Sequence, residues 1–366
     1  MLEYYKASVL NAYDNRRLLL NSIRLILPNK PNVALIHSDI SKFRVKNNEF
    51  IWEILFVIST LVEEGWTLIF PSFTFSFCTG KPYISKKSLS ETGVLADKVL
   101  ENLPSAKRTA DPIYSFVTIG KKSKLITKLS PKTNFGCGSV FEWLEKQNSN
   151  IVMLGCDWEY CTQFHRYEEL HKVEYREFKT FKGIADFGEG PNNVKSTMFV
   201  RSLDLDPIND FTPVVDKLVA NNLINKLNIY NTSIQCANVR EIKKICLKQL
   251  QIDTCCYLSN KTEVLKKIRD KAERKNNQTL LISVFCNKNS ELLEQHLLNS
   301  LEYFLPERDF IINKVPFGQM YKILYDKKNN FYFSPPFIKI FIDRLSDLPG
   351  VDLFEEKSTV KAVLEY

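Results

Sequence analysis

Residues 151–169 read IVMLGCDWEYCTQFHRYEE, and the pattern of this segment indicates the fold class. The apolar run Ile151–Leu154 predicts a buried strand that ends at Gly155, and a polar helix is predicted to begin near Thr162 after a short loop. In open α/β sheets, ligands bind beyond the carboxyl ends of the strands. The sequence therefore predicts a layered α/β fold with a functional site in the loop that follows this strand.

The flanking sequence continues this alternation of strands and helices. The predicted strands of the first part are 32–37, 67–71, 115–119 and 151–154. The predicted helices are 50–63, which Gly65 stops, 214–227, 239–250 and 263–275. A second α/β unit follows, with strands at 279–286, 310–315 and 337–342 and a helix at 291–304. The aromatic run 72–77 is predicted to be a loop.

Length and composition limit the classes of protein. The chain has 366 residues, more than the roughly 250–300 that one core supports, so we expect two domains, residues 1–260 and 261–366. The net charge of +8 has no concentrated basic stripe, which argues against nucleic-acid binding. We find no apolar run long enough for a membrane helix and no secretory signal. Nine cysteines without a Cys-x-x-Cys pair favour a reducing compartment and no metal site, so we expect a cytoplasmic protein.

The predicted helix after residue 162 carries the candidate chemistry. Thr162, His165, Glu168 and Glu169 fall on one helical face, so Glu168 can orient His165 as a general base. By spacing alone, an incidental His–Glu pair on a surface helix is the more ordinary interpretation. Because the chain has only four histidines, few other residues can supply imidazole chemistry.

Six sequence features, taken in order along the chain, favour the general base over the incidental pair. They are VALIHSD (33–39), EGWTLIFPSFTF (64–75), SETGVL (90–95), RTADPIYSFVTIG (108–120), NFGCGSVFEWL (134–144) and the spacing Thr162-x-x-His165-x-x-Glu168. Together they resemble the aminoglycoside 3-N-acetyltransferase family over about residues 30–250. The run YREFKTFKG (175–183) is similar to the branch of this family that does not act on antibiotics. Its charges Arg176 and Lys179 are interpreted as a solvated face, with phosphate contact as the alternative.

The resemblance implies a three-layer α/β/α sandwich that transfers an acyl group from acetyl-CoA or another acyl-CoA to an amine. It implies His165 as the base and Glu168 as its partner. The oxyanion of such a reaction needs a hydrogen-bond donor, for which Thr162 and a loop N–H are the candidates. The residues that it implies near CoA are His37, Ser38, Ser115, Phe116, Phe135, Gly136 and Ser139. No metal is implied.

Two departures from the family pattern lie near the expected pocket. Asp111 stands where the family commonly has His before Pro, and Asp39 stands where the antibiotic enzymes carry a second Ser. We therefore assign Asp39 and Asp111 to the acceptor side, together with Glu169 and Phe75. For Phe75, core packing is the more ordinary role.

The C-terminal part carries a second, weaker resemblance. The segments TLLISVFCN (279–287), VPFGQ (315–319) and DKKNNFYFSP (326–335) are similar to the small α/β domain that precedes the phosphatase-like module of capsule and polyketide-loading proteins. This resemblance covers about residues 276–340 and lacks the nucleophilic aspartate motif. A closing or dimerising domain is the alternative.

The expected function is N-acylation of an amino sugar, nucleotide-linked, for a bacterial surface polysaccharide such as O-antigen or capsule. One alternative is an aminoglycoside acetyltransferase that confers antibiotic resistance, because acidic residues near the site can bind a polycation. Alternatives of another class are a Cys161/His165 thiol hydrolase and a non-catalytic CoA-binding module. The expected partner is a small-molecule amine, with a homodimer as an open option.

Overall fold

The computed structural model describes residues 16–43, 50–278, 280–286, 310–316, 351–356 and 359–364, with side chains through residue 271. The chain divides into two compact units, Met1–Leu265 and Lys266–Tyr366. The predicted helix 291–304 and strand 337–342 lie outside the described residues.

Ten strands belong to the described part of the first unit. They are β1 (Val33–Ser38), β2 (Thr67–Pro71), β3 (Tyr83–Ile84), β4 (Lys107–Arg108), β5 (Phe116–Ile119), β6 (Asn150–Leu154), β7 (Arg176–Asp186), β8 (Pro191–Arg201), β9 (Ile224–Ile229) and β10 (Thr232–Asn238). Seven of them form the central sheet in the order β4-β5-β2-β1-β6-β10-β9. Strand β1 pairs in parallel with both β2 and β6, and Leu35 is aligned with Ile69 on one side and Ile151 on the other. The three strands therefore end at the same edge of the sheet, next to the predicted site.

Eight helices pack with these strands among the described residues of the first unit. They are α1 (16–26), α2 (Phe50–Glu63), α3 (Leu95–Asn102), α4 (Ser123–Ile126), α5 (Val140–Lys146), α6 (Gln163–His171), α7 (Thr212–Ala220) and α8 (Val239–Ile252). Helix α9 (Lys261–Gln278) continues from the first unit into the second.

The central sheet is covered on both faces. Along β1, Ala34 and Ile36 belong to a buried apolar cluster that includes residues of α1, α2 and α3. Side chains alternate along a strand, so Leu35, which is also fully buried, faces the opposite layer. Helices α5, α6 and α8 contact one another and contribute none of their buried residues to the first cluster. The predicted three-layer α/β/α architecture is confirmed.

A smaller sheet, which the sequence pattern did not predict, lies beside the central one. Strands β7 and β8 form an eleven-residue antiparallel hairpin, and β3 pairs with β7 to complete the order β3-β7-β8. The turn between β7 and β8 contains Gly188 and Gly190, both with positive φ. This hairpin starts directly after helix α6, so it places its first residues next to the predicted catalytic helix.

The predicted helix 214–227 is wrong in its second half. Helix α7 ends at Ala220, Asn222 takes a left-handed conformation with φ of 54°, and the chain turns into the hairpin β9–β10. The structure describes four strands in the second unit: β11 (Leu280–Cys286), β12 (Phe310–Pro316), β13 (Val351–Glu356) and β14 (Thr359–Leu364). They form one sheet in the order β12-β11-β14-β13. In the part of the chain that is described, no helix has the length and apolar character needed to cross a bilayer.

Candidate active site

A cleft of about 550 Å³ opens at the carboxyl edge of the central sheet. Its walls come from the ends of strands β1 and β2, from the segment between β6 and helix α6, and from residues near the start of α3 and before β5. The lining residues on which the site depends are His37, Ser38, Asp39, Phe75, Glu91, Tyr114, Glu159, Cys161, Thr162 and His165. The cleft therefore lies where ligands bind in open α/β sheets.

Helix α6 brings the predicted base to this cleft. The helix begins after Thr162, and it ends where Lys172 adopts a left-handed conformation whose amide donates to the carbonyls of Glu168 and Glu169. Phe164 and Tyr167 are fully buried and hold the helix against the protein. One turn of helix joins His165 to Glu168, so both side chains lie on the same side.

His165 and Glu168 form the predicted pair. The distance between His165 Nδ1 and Glu168 Oε2 is 2.5 Å. The imidazole is 19% exposed, whereas the Glu168 side chain is inaccessible, and its other oxygen, Oε1, accepts the hydroxyl of Tyr175 at 2.9 Å. Since a carboxylate only accepts hydrogen bonds, the proton of neutral His165 lies on Nδ1. Nε2 is then left with a free lone pair.

Arg176, the first residue of β7, completes this group. Its Nε lies 2.9 Å from Glu168 Oε2, its Nη2 lies 3.0 Å from His165 Nδ1, and its Nη1 donates to the carbonyl of Phe199 at 3.2 Å. The Arg176 side chain is 8% exposed. The interpretation of Arg176 as a charge on a solvated face is therefore wrong, because the hairpin turns it inward.

These neighbours set the pKa values of the pair. Burial and the charge of Arg176 lower the pKa of His165 and outweigh the carboxylate of Glu168, which raises it. Burial alone would raise the pKa of Glu168, but Arg176 and His165 outweigh this effect and the net shift is downward. At neutral pH the site therefore holds a charged carboxylate and an uncharged imidazole.

Two aromatic rings hold the imidazole in place. The ring centroids of Phe135 and Phe211 lie 5.7 Å and 5.6 Å from that of His165, and both rings meet it edge to face. The carbonyl of Phe135 accepts Arg166 Nη1 at 2.6 Å, and Arg166 is itself paired with Glu145 in the interior. Phe135, Phe211 and Arg176 therefore hold the imidazole from three elements other than its own helix.

The residues predicted to contact CoA divide into two groups. His37 and Ser38 line the cleft at the end of β1. His37 is 6% exposed, burial lowers its pKa to about 4, and its Nε2 is buried without a partner among the described residues. The contact of His37 and Ser38 with CoA stays a prediction.

The other five lie behind the cleft wall. The Ser115 hydroxyl donates to the Ser72 carbonyl, Phe116 is core, and Ser139 caps α5 by accepting the amide of Glu142. Phe135 supports His165, and Gly136 packs so closely on Glu169 that an added Cβ would lie 2.7 Å from Oε1. Their contact with CoA stays a prediction.

The predicted acceptor residues are divided in the same way. Asp39 and Phe75 line the cleft, and Phe75 is 38% exposed while Phe73 beside it is buried. Asp111 instead accepts the amides of Ile113 and Tyr114, both at 2.7 Å, so it shapes the turn before β5.

Glu169 points away from the cleft. Its Oε1 accepts the hydroxyl of Thr133 at 2.5 Å, and it is not among the residues that line the cleft. The one-face pattern therefore holds for His165 and Glu168 but does not bring Glu169 to the same site.

Two cleft residues, Glu91 and Tyr114, were not assigned roles from the sequence, and a third, Glu159, belongs to the acidic residues expected to bind a polycation in the aminoglycoside alternative. Glu91 and Glu159 add carboxylates to that of Asp39, and each also accepts a backbone amide, from Ser76 and from Phe211. Tyr114 adds a largely buried ring, and burial raises the pKa of its phenol. Tyr114 and Glu91 lie within motifs that resemble the family, which was the available signal.

The thiol of Cys161 is a poor nucleophile in this setting. Its side chain is buried, and burial raises its pKa far above that of a free thiol. Reactive thiols require a lowered pKa, so the geometry does not favour the Cys161/His165 hydrolase.

The chain is similar to known proteins in its sequence profile and in its fold. The family profile described as aminoglycoside 3-N-acetyltransferase matches residues 35–251. No curated protein matches the chain in sequence. Three similar solved structures are the apoenzyme of aminoglycoside acetyltransferase AAC(3)-IVa, AAC-IIIb in a binary complex with CoASH, and the YokD protein from Bacillus subtilis.

The similarity to these structures covers nearly all of each of them. AAC(3)-IVa is 18% identical with a TM-score of 0.56, covering 70% of this chain and 96% of its own. AAC-IIIb is 18% identical with a TM-score of 0.56, covering 65% and 96%. YokD is 17% identical with a TM-score of 0.56, covering 65% and 94%. At this identity the structures support the fold.

Proposed function

Because the chain belongs to the aminoglycoside 3-N-acetyltransferase family, we propose that it moves an acetyl group from acetyl-CoA to the amine of an amino sugar, with His165 as the general base. The family makes the chain an acyl-CoA-dependent N-acetyltransferase. One observation carries the assignment of the base. His165 lines the cleft while its Nδ1 is tied to a buried carboxylate, which leaves Nε2 for the acceptor.

The residues of the cleft suit the steps that the reaction needs. Acetyl-CoA supplies the thioester carbonyl that the amine attacks. His165 Nε2 takes a proton from the nitrogen of the acceptor as that nitrogen bonds to the carbonyl carbon, and Glu168 stabilises the imidazolium that results. General-base catalysis of this kind contributes about 10²–10⁴-fold in rate. The C–S bond of the thioester then breaks, and CoA leaves as the thiol with the proton that His165 took. Thr162 lines the same cleft without capping α6 through its side chain, so its hydroxyl is free to donate toward the developing oxyanion.

We propose an amino sugar of a bacterial surface polysaccharide, in nucleotide-linked form, as one acceptor. The departure at Asp39, which lines the cleft, from the pattern of the antibiotic enzymes supports it, whereas Asp111 shapes the turn before β5. The aromatic side chains of Phe75 and Tyr114, whose ring centroids lie 5.7 Å apart, offer a surface for a sugar ring.

A second candidate is an aminoglycoside, and the charges of the cleft favour it. Asp39, Glu91 and Glu159 line the cleft, and no lysine or arginine is among the described residues that do so. Carboxylates attract a polycation, whereas the diphosphate of a sugar nucleotide would be repelled unless it lies outside the cleft.

Release of free CoA thiol from acetyl-CoA tests the proposal. Purified protein is assayed with a gentamicin-type aminoglycoside and with UDP- and dTDP-linked amino sugars, and the acceptor that gives release decides between the two candidates. We expect His165→Asn to lose about 10²–10⁴-fold in turnover and Cys161→Ala to keep it within about threefold, because that thiol is not ionised.

Full turnover by His165→Asn would overturn the assignment of the base. Loss of activity in Cys161→Ala with an active His165→Asn would instead identify a thiol hydrolase. Binding of CoA without release in the presence of any acceptor would identify a non-catalytic module.

We place the reaction in residues 1–260 and leave residues 261–366 as a separate domain without an assigned role. We propose the cytoplasm as its location. Cysteines are free throughout the part of the chain whose side chains are described, eight in number, which fits a reducing compartment.

A further inference from the structure

Three charged or titratable groups share one buried contact in the candidate active site. The carboxylate oxygen Oε2 of Glu168 lies 2.5 Å from His165 Nδ1 and 2.9 Å from Arg176 Nε. The same guanidinium reaches His165 Nδ1 at 3.0 Å through Nη2. Arg176 therefore contacts both members of the catalytic pair, although it comes from a different element, strand β7.

The net charge of these three groups determines whether His165 is protonated. A carboxylate next to a histidine ordinarily favours the imidazolium, and a base that is already protonated cannot accept a proton from an amine. The positive charge of Arg176 balances the negative charge of Glu168 while His165 is uncharged. A second proton on His165 would leave a net positive charge in a site where Arg176 and Glu168 are almost completely buried, which is unfavourable.

We propose that Arg176 is a positioning residue for the reaction, which fixes Glu168 and keeps His165 in the neutral form. The proposal rests on His165 being the base proposed above. It assigns a role in the chemistry to the hairpin β7–β8, whose first residue is Arg176 and whose other strand supplies the Phe199 carbonyl that holds the guanidinium.

No other described neighbour of His165 supplies a balancing charge. From its own helix the ring faces Glu168. From the other elements it faces the rings of Phe135 and Phe211. Tyr114 also lines the cleft, and it stays protonated because burial raises its pKa. Glu159, also at the cleft, accepts the amide of Phe211.

Titration of His165 by NMR tests the proposal without relying on turnover. The chain has four histidines, so ¹³C-labelled imidazoles give few signals, and His165→Asn identifies the relevant one. We expect Arg176→Gln to raise the titration midpoint of His165 by about one pH unit or more, and Arg176→Lys to restore it in large part. Arg201→Gln is the matched control, because Arg201 is aligned with Arg176 across the hairpin but is exposed.

The pH profile of kcat/KM gives the second measurement. A midpoint that rises by one unit lowers the fraction of neutral His165 on the acid limb about tenfold. The ratio of activity at low pH to activity on the plateau should therefore fall about tenfold in Arg176→Gln and remain unchanged in Arg201→Gln. A loss that is equal at every pH, with an unchanged midpoint, would mean that Arg176 is only structural and would overturn the proposal.

A second pair of variants covers the case in which Arg176→Gln does not fold. In Glu168→Gln the guanidinium faces His165 unopposed, and in Glu168→Gln/Arg176→Gln both charges are absent. The midpoint of His165 should be at least about one unit higher in the double variant, and equal midpoints would overturn the proposal. If His165→Asn were fully active, the proposed function would fail, whereas these titrations would still report the effect of Arg176.

Discussion

Replacing Gly155 by alanine tests how tightly the cleft loop is attached to the sheet. Gly155 ends β6 in a left-handed conformation with φ of 74°. A Cβ at this position would lie 2.6 Å from the backbone oxygen of Asp39 and 2.7 Å from the ring of Phe43. Both contacts are well below van der Waals distance, and one of them is to backbone, so the end of β1 must move.

The magnitude follows from two contributions. The left-handed conformation costs about 1 kcal/mol for a residue with a Cβ, and overpacking against a fixed neighbour adds about 2 kcal/mol. Gly80 provides the control, since its φ is 87° and no atom lies within 4 Å of its added Cβ. We expect losses in the free energy of unfolding of about 3 kcal/mol for Gly155→Ala and about 1 kcal/mol for Gly80→Ala.

Urea unfolding measures both losses, and the CoA-release assay reports the effect on the cleft. Gly155→Ala should also lower turnover, because Asp39 at the end of β1 and the segment leading to His165 meet at this contact. Equal losses of stability in the two variants would show that the added Cβ at residue 155 is not overpacked, since the steric contribution is the only difference between them.

Two further predictions concern the walls of the cleft. Because burial lowers the pKa of His37 to about 4 from about 6.5 in the unfolded chain, the unfolded state binds the proton first as the pH falls. Wild type should therefore lose about 2 kcal/mol more than His37→Gln between pH 7 and pH 5 in urea unfolding, and equal losses would contradict this. Phe73→Ala, at a buried ring, should cost about 3–5 kcal/mol, whereas Phe75→Ala should cost about 1 kcal/mol and raise the KM for the acceptor; a thermal melt and a KM that show the reverse would place Phe75 in the core.

The sequence predicted the elements that local patterns determine. Helix α2 has the predicted bounds, because a fourteen-residue segment with apolar residues at helical spacing is followed by Gly65, whose φ is 102°. Strand β6 and helix α6 were also predicted, because the buried run, the glycine and the polar helical face follow one another directly. The contact between His165 and Glu168 needed only helical spacing.

The features that were missed depend on contacts between distant residues or on short stop signals. The helix predicted through residue 227 ended early because Asn222 adopts a left-handed turn, and the apolar spacing continued across it. Arg176 was misassigned because its position is set by the pairing of β7 with β8, which the charged composition of the hairpin conceals. The contact of Ser115 with CoA stays a prediction; in the structure its hydroxyl donates to the Ser72 carbonyl.

The eleven-residue register of β7 and β8 also ties activity to the completion of folding. A slip of one residue would turn Arg176 to the opposite side of the hairpin, and a chain synthesised only through helix α6 would contain the base and its carboxylate but not the cation. A chain in which β7 and β8 are unpaired therefore lacks the guanidinium that contacts both His165 and Glu168.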